Sequence, residues 1–269
     1  MSKDCFGDRI KEFEMAEAGR KFTRLLPIVA RLDGKCFSKF TKGLERPYDS
    51  RMSDLMIATT KYLIKETNAV MGYTQSDEIT LAWYSDSYKS QIYYDGRIQK
   101  MIGDLSAAAS VYFNAELPNY LPTKAKLMPR FDARVWQMPT LKEAANVFLW
   151  RELDATKNSI SMAASTYYSH KFLMHKTGNE KQELLHQKGI DWNDYPPFFK
   201  HGTFVAKTVV TRSFTSGELT KLSPKHQAKN NSNLQIERSE ITTLDMPPFS
   251  TVTNRVGVIF FGEAPTIGC

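Results

Sequence analysis

The chain has 269 residues, with 36 Lys and Arg against 29 Asp and Glu for a formal charge of +7, and it is 42% hydrophobic, 12% aromatic and 24% charged. This globular composition suffices for one large or two modest domains and excludes collagenous, coiled-coil and wholly disordered chains. No run approaches the roughly 20 apolar residues of a membrane helix, and the opening MSKDCFGDRIKEFE, charged from Lys3, lacks an apolar signal core, so the expectation is a cytoplasmic protein with no membrane partner.

Residues up to the first strand read as an N-terminal helix leading into the core. From Leu26 to Gly34, Ile28, Ala30 and Leu32 share one face while Val29, Arg31 and Asp33 share the other, which predicts a core strand ending in a turn. Met52, Leu55, Met56 and Leu63 then fall on one face of a helix from about Ser50 to Glu66. Gly72–Gln75 and Ile79–Tyr84 are short strand-like runs flanking Ser76-Asp77, the length of a tight hairpin connection. A longer helix follows, with Ile98, Met101, Ile102, Leu105, Ala109 and Tyr112 in helical register, and Phe131–Gln137 offers a fourth strand.

The order strand, helix, strand, strand, helix, strand predicts an α/β (α+β) fold of the ferredoxin-like βαββαβ type over residues 26–137. Another helix, about Leu141 to Ala164, carries Leu141, Ala144, Ala145, Phe148 and Leu149 as its apolar stripe. Beyond it the pattern loosens. Residues 169–202 read as short helices in long loops, residues 222–242 as a polar, mobile segment, and Val252–Phe261 as a final strand. The expected division is a catalytic core over 1–140 and a helical, loop-rich C-terminal extension over 141–269.

Charge is concentrated in two stretches: residues 19–46 hold eight basic residues against Asp33 and Glu45, and residues 200–240 hold seven against Glu218, Glu237 and Glu240. Such clusters suit phosphates and nucleic acid, and a solvated basic surface fits the same count. Cys5, Cys36 and Cys269 form no CxxC pair and read as free thiols in a reducing compartment. Cys36 has no neighbouring base to activate it.

Asp33 ends the first strand and Asp77 sits at the hairpin tip that this topology places beside it. Magnesium takes one or two carboxylates completed by waters and substrate phosphates, and two such ions polarise an attacking hydroxyl and neutralise a leaving phosphate. Asp33 and Asp77 suit that role, Gly34 permits close approach of a triphosphate, and Lys35, Lys39 and Arg46 flank the pair. Each piece alone is also what an ordinary turn looks like. Glu78 reads either as an acceptor behind the pair or as an exposed strand residue.

Arg31-Leu-Asp33-Gly34-Lys-Cys-Phe37-Ser38, Arg46-Pro-Tyr-Asp49-Ser-Arg51, Tyr73-Thr-Gln75-Ser76-Asp77-Glu78, Phe131-Asp132-Ala-Arg134 and Trp150-Arg151 stand in the order seen in the tRNA-histidine guanylyltransferase family, which the chain resembles over about residues 5–205. The resemblance implies a polymerase-like palm that adds nucleotides to the 5′ end of tRNA in the 3′→5′ direction. The 5′ phosphate is first activated with ATP or GTP, and the 3′-hydroxyl of an incoming nucleotide then attacks it. By motif, Asp33, the Gly34 carbonyl and Asp77 hold two magnesium ions, with Glu78 beside them. Lys35, Cys36, Phe37, Ser38 and Ser76 contact the nucleotide, and Arg46, Arg97 and Lys100 meet phosphate. The family also implies a homotetramer, a dimer of dimers in which one pair holds the tRNA.

Where enzymes specific for tRNA-histidine carry His-Ile-Asn-Asn, this chain has Asp154-Ala155-Thr156-Lys157-Asn158-Ser159, and only Asn158 survives. That departure resembles the Thg1-like branch, which repairs truncated tRNA 5′ ends by templated addition, and points away from strict addition of a single G to tRNA-histidine. Asp154 and Asn158 share a helix face and read as substrate-binding residues or an ordinary polar pair. His170 and Lys171, with His175 and His186 nearby, are candidates for the RNA backbone, and Tyr167, Tyr168, Phe198 and Phe199 for base stacking or core. Two rivals remain on the sequence: a nucleotide cyclase on the same fold, and a catalytically silent RNA-binding protein.

Overall fold

The two-residue alternation of Ile28, Ala30 and Leu32 with Val29, Arg31 and Asp33 is realised in a strand whose faces meet two different cores. The computed structural model describes residues 5–231 and 233–268, so the Cys269 thiol and the charge at Lys3 lie outside the described residues. In chain order the elements are α1 (Cys5–Ala18), β1 (Ile28–Gly34), α2 (Phe37–Phe40), α3 (Ser50–Thr67), β2 (Met71–Gln75), β3 (Glu78–Trp83), α4 (Ile98–Tyr120), β4 (Phe131–Gln137), α5 (Leu141–Tyr167), α6 (His170–Leu173), α7 (Gly178–His186), α8 (Pro197–His201), β5 (Thr203–Ser213), α9 (Ser216–Lys221), β6 (Gln235–Thr243) and α10 (Arg255–Phe261).

One antiparallel sheet runs β4-β1-β3-β2-β5-β6. Its first four strands have the order of the ferredoxin-like βαββαβ unit. On one face Ile28, Ala30, Leu32, Ile79 and Leu81 pack with Leu55, Leu63, Leu105 and Phe113 of α3 and α4. On the other, Val29, Met71, Tyr73 and Ala82 pack with Phe148 of α5 and with Phe249, Val258 and Ile259. Burial of both faces pins register, because a slip by one residue would exchange them.

Local chemistry agrees with these elements. Asp49 caps α3 by accepting from the Arg51 amide at 3.1 Å, and Asn68 ends that helix in the left-handed region at φ 52°. Thr59, Thr60 and Thr67 are buried on α3, and each hydroxyl donates to a carbonyl one turn back. Thr140 caps α5 through the Glu143 amide at 3.1 Å. Helix α1 forms as expected but buries none of its residues. No helix among the described residues is long and apolar enough to cross a membrane.

Two expectations for the C-terminal half are corrected. The segment expected to be polar and mobile, residues 222–242, holds a strand from Gln235 onward: β6 pairs along β5, with Arg212 Nε on Glu240 Oε1 at 2.5 Å and the Thr208 and Thr242 hydroxyls 2.8 Å apart. Its charges belong to an edge strand, where they deter further pairing. The expected strand at Val252–Phe261 is instead α10, which packs on α5 and ends at Gly262 with φ 68°. A continuous apolar run shows no period, so it does not separate a buried strand from a buried helix. The extension therefore adds two strands to the palm sheet as well as its helices.

Candidate active site

β1 delivers Asp33 and Gly34 at its carboxyl end, and the β2–β3 hairpin delivers Gln75, Ser76, Asp77 and Glu78 beside them. The two segments are tied by the Gly34 N–H, which donates to the Asp77 carbonyl at 3.1 Å. Asp33 lies opposite Glu78 on β3 and opposite Asp132 on β4. Ser76 adopts φ 51°, the left-handed conformation that a two-residue hairpin requires, and its hydroxyl donates to Asp77 Oδ1 at 3.1 Å.

Burial, and secondly the charge of Asp33, push the Asp77 carboxyl up to about 6. Two carboxylates held together at this cost suit a divalent cation. Among the described residues no group of three or more His, Cys, Asp or Glu is placed to hold a metal. Magnesium does not need such a group, because waters and substrate phosphates complete its shell, so this donor set fits it.

Glu78 is neither exposed nor free. It accepts from the Arg151 guanidinium and from Gln75 Nε2 at 3.2 Å. Arg151 also donates to Asp154 Oδ2 at 2.9 Å, and that oxygen accepts from Asn158 Nδ2 at 3.2 Å. The Arg151 side chain is only 4% exposed, so Asp154 and Asn158 join a network leading to the hairpin rather than forming an isolated surface pair. The sequence assigned Arg151 no role, since a buried ion pair across elements leaves no local pattern.

Beside Asp77 opens a cavity of about 420 Å³, within the range that holds small ligands. It is bounded by Ser38 of α2, Arg46 and Tyr48 of the loop before α3, Ser76, Asn158 and Phe198. Tyr48 meets Phe198 and Phe199 with ring centroids 5.2 and 4.9 Å apart. Asp49, its carboxyl held below the usual range chiefly by Arg51, accepts from the Glu45 N–H at 3.2 Å and so braces this loop. A larger cavity of about 840 Å³ lies at the opposite end of the sheet between α3, β5 and α10, away from the Asp33–Asp77 pair, so size alone does not select the site.

Several candidates sit elsewhere than the sequence implied. Phe37 is buried against Phe40, Phe113 and Phe131 and supports the loop from the core. Gly34 is needed beneath it, because a Cβ there would meet the Phe37 ring at 2.3 Å. Lys35 and Cys36 are exposed; the Lys35 N–H donates to the Arg130 carbonyl at 2.8 Å, and Cys36 takes φ 59° before α2. Arg97 and Lys100 do not join the pair. They begin α4, where Arg97 bridges Lys21, Thr23 bonds to Gln137, and Gln137 lies opposite Ile28. That is the far end of β1 from Asp33. His170 and Lys171 lie on exposed α6 and do not line the cavity.

The antiparallel palm, the paired carboxylates at the ends of its central strands and the adjoining cavity define a nucleotidyltransferase of the palm type. The tRNAHis guanylyltransferase family profile matches residues 7–139. A bacterial tRNA(His) guanylyltransferase (Thg1)-like protein solved in complex with ATP superposes with a TM-score of 0.70 at 34% identity, covering 76% of this chain and 87% of that one. A structure of such a protein in complex with GTP gives 0.70 at 28% identity, covering 92% and 94%. The tRNA(His) guanylyltransferase of Schizosaccharomyces pombe is 29% identical over 208 residues, 71% of this chain and 78% of its own. The chain belongs to the tRNAHis guanylyltransferase family.

Proposed function

We propose that this protein extends the 5′ end of tRNA in the 3′→5′ direction, repairing truncated ends by templated addition. The observation that carries the reading is the Asp33–Asp77 pair at the rim of a cavity of nucleotide size. Support for nucleoside triphosphates as substrates comes from the similar bacterial proteins solved with ATP and with GTP.

Asp33, Asp77 and the Gly34 carbonyl are the groups that would hold magnesium, which supplies charge neutralisation at phosphate and activation of a hydroxyl when bound. The chain's own residues position the reactants. Arg46 faces the cavity and meets phosphate charge, Ser76 holds the Asp77 carboxylate in place, and the tie from Gly34 to Asp77 keeps both carboxylates at one end of the central strands. Positioning and charge neutralisation are most of what phosphoryl transfer asks of a protein.

Repair is favoured over addition of a single G because Asp154 to Ser159 replaces the His-Ile-Asn-Asn run and because Asp154 is engaged by Arg151. Single-G addition is the second reading, favoured by the S. pombe relative's name. Assembly as a homotetramer is part of the proposal, supported by Phe6 and Phe13 standing exposed on α1. The test is incorporation of labelled nucleotide into a tRNA lacking its first residue, with Mg²⁺ and ATP, for wild type and Asp77→Ala. Addition by wild type alone, matching the opposite template base, supports repair. Addition of G regardless of template moves the reading to the guanylyltransferase, and absence of any addition to several bound tRNAs removes both.

A further inference from the structure

Asp33 stands between two unlike surfaces. On the hairpin side is the cavity that Asp77 lines. On the other side, β1 and the edge strand β4 present Arg31 opposite Arg134, each two residues along its strand from the facing Asp33 and Asp132. The Arg134 side chain is 58% exposed, and Arg31 has no ion-pair partner among the described residues. A reaction that joins a triphosphate to a nucleic-acid end needs a second binding surface, and this basic strand face is the one beside the cavity that can supply it.

Trp150 occupies that open side and is 51% exposed. Two guanidinium groups approach its ring, with the Arg151 Cζ 4.5 Å and the Arg31 Cζ 5.7 Å from the ring centroid. Arg151 is immobilised by Glu78 and Asp154, so the indole has a rigid backing, while the half-buried Arg31 keeps a charge that no carboxylate among the described residues neutralises. Arg31 and Asp33 are two residues apart on one strand face, about 7 Å at the usual rise per residue. A base on Trp150 is therefore within a nucleotide's reach of the paired carboxylates. Exposed indole flanked by arginines, of which Arg31 has no ion-pair partner among the described residues, is the chemistry that binds unstacked RNA bases and their phosphates.

We propose that Trp150, backed by Arg151 and flanked by Arg31 and Arg134, is the platform on which the terminal base of the RNA strand stacks while its 5′ phosphate enters at Asp33. This rests on the reading of the protein as a tRNA 5′-end nucleotidyltransferase. Leu153, also exposed on α5, lengthens the apolar strip, which makes a second copy of this chain the rival occupant.

The experiment measures binding of a 5′-monophosphorylated tRNA transcript lacking its first nucleotide, by fluorescence anisotropy, alongside ATP binding by calorimetry and subunit number by light scattering. The variants are Trp150→Ala, Trp150→Phe and Arg31→Gln. Loss of one stacked base weakens RNA binding by about tenfold to a hundredfold, so Trp150→Ala should raise the tRNA Kd and KM by that factor with ATP affinity unchanged. Trp150→Phe should recover most of it, and Arg31→Gln should lower the slope of log K against log salt by about one. An unchanged tRNA Kd in Trp150→Ala overturns the proposal. So does a parallel loss of ATP binding, which would mean that Trp150 only supports Arg151, or a changed subunit number at constant tRNA affinity. Should wild type bind this RNA through Trp150 yet add no nucleotide to it, the platform stands and the reading as a transferase falls.

Discussion

Replacing Asp77 with Asn should stabilise the protein while abolishing nucleotide addition. The folded carboxyl titrates at about 6 rather than 3.8, and a shift of about two pH units corresponds, at 1.36 kcal/mol per unit, to about 3 kcal/mol of penalty on the ionised form. Asp77 keeps some contact with water, so we expect about 1–2 kcal/mol. Asn retains the Oδ1 acceptor for the Ser76 hydroxyl and leaves the Gly34 tie to the backbone intact. The sign follows from proton binding. Between pH 4 and 6 the native carboxyl holds its proton while the unfolded one releases it, so this site's contribution to stability falls as pH rises through that window and is fully lost above it. The variant's advantage should thus be present at pH 8 and vanish near pH 4. For a chain of this length it is a rise in Tm of about 2–8 °C at pH 8 without metal. Added Mg²⁺ should narrow the gap by stabilising wild type alone. Calorimetry at pH 4, 6 and 8 reads all three effects. A variant less stable than wild type at pH 8, or a gain independent of pH, would refute the account of Asp77 as a crowded, desolvated carboxylate.

Arg151→Met leaves Glu78 without its guanidinium partner and should destabilise the fold by about 3–5 kcal/mol, read by urea denaturation, with Glu78→Gln in the same chain restoring part of the loss; additive losses would show that the pair is not coupled. Gly34→Ala puts a methyl against the Phe37 ring and should cost about 1–3 kcal/mol while weakening ATP binding, whereas unchanged calorimetric affinity would detach the Phe37 packing from the loop. Glu152 accepts the Phe249 N–H at 2.8 Å with both oxygens, so Glu152→Ala should cost about 1–3 kcal/mol and speed amide exchange at Phe249, and intact protection there would contradict the anchoring role.

What the sequence made readable was whatever two-residue or 3.6-residue periodicity records. β1 was legible because its alternate residues enter two different cores, and the hairpin because Ser76-Asp77 separates two apolar runs by the length of a tight turn. The proximity of Asp33 and Asp77 followed from topology alone. The placement of Arg97 and Lys100 did not, because charge on a helix says nothing about which end of the sheet that helix starts from. β6 was hidden by its charges, which suit an edge strand and a loop alike, and α10 by a run too short and uniformly apolar to show a period. Arg151 was invisible as a site residue because its partners, Glu78 and Asp154, are 73 and three positions away and only the fold brings the first of them near.

β2 lies between β3 and β5, so one strand belongs both to the hairpin that carries Asp77 and to the sheet's carboxyl-terminal strands. A fragment ending at residue 140 would present the ladder groups of Met71 to Thr74 to solvent, beside the otherwise buried Met71 and Tyr73. Such an apolar open edge invites pairing with other chains. The protein is accordingly a poor subject for dissection and a good one for complementation: supplied in trans, residues 203–243 would act on the remainder as an added strand, and the restored ladder would set the position of the hairpin that carries Asp77.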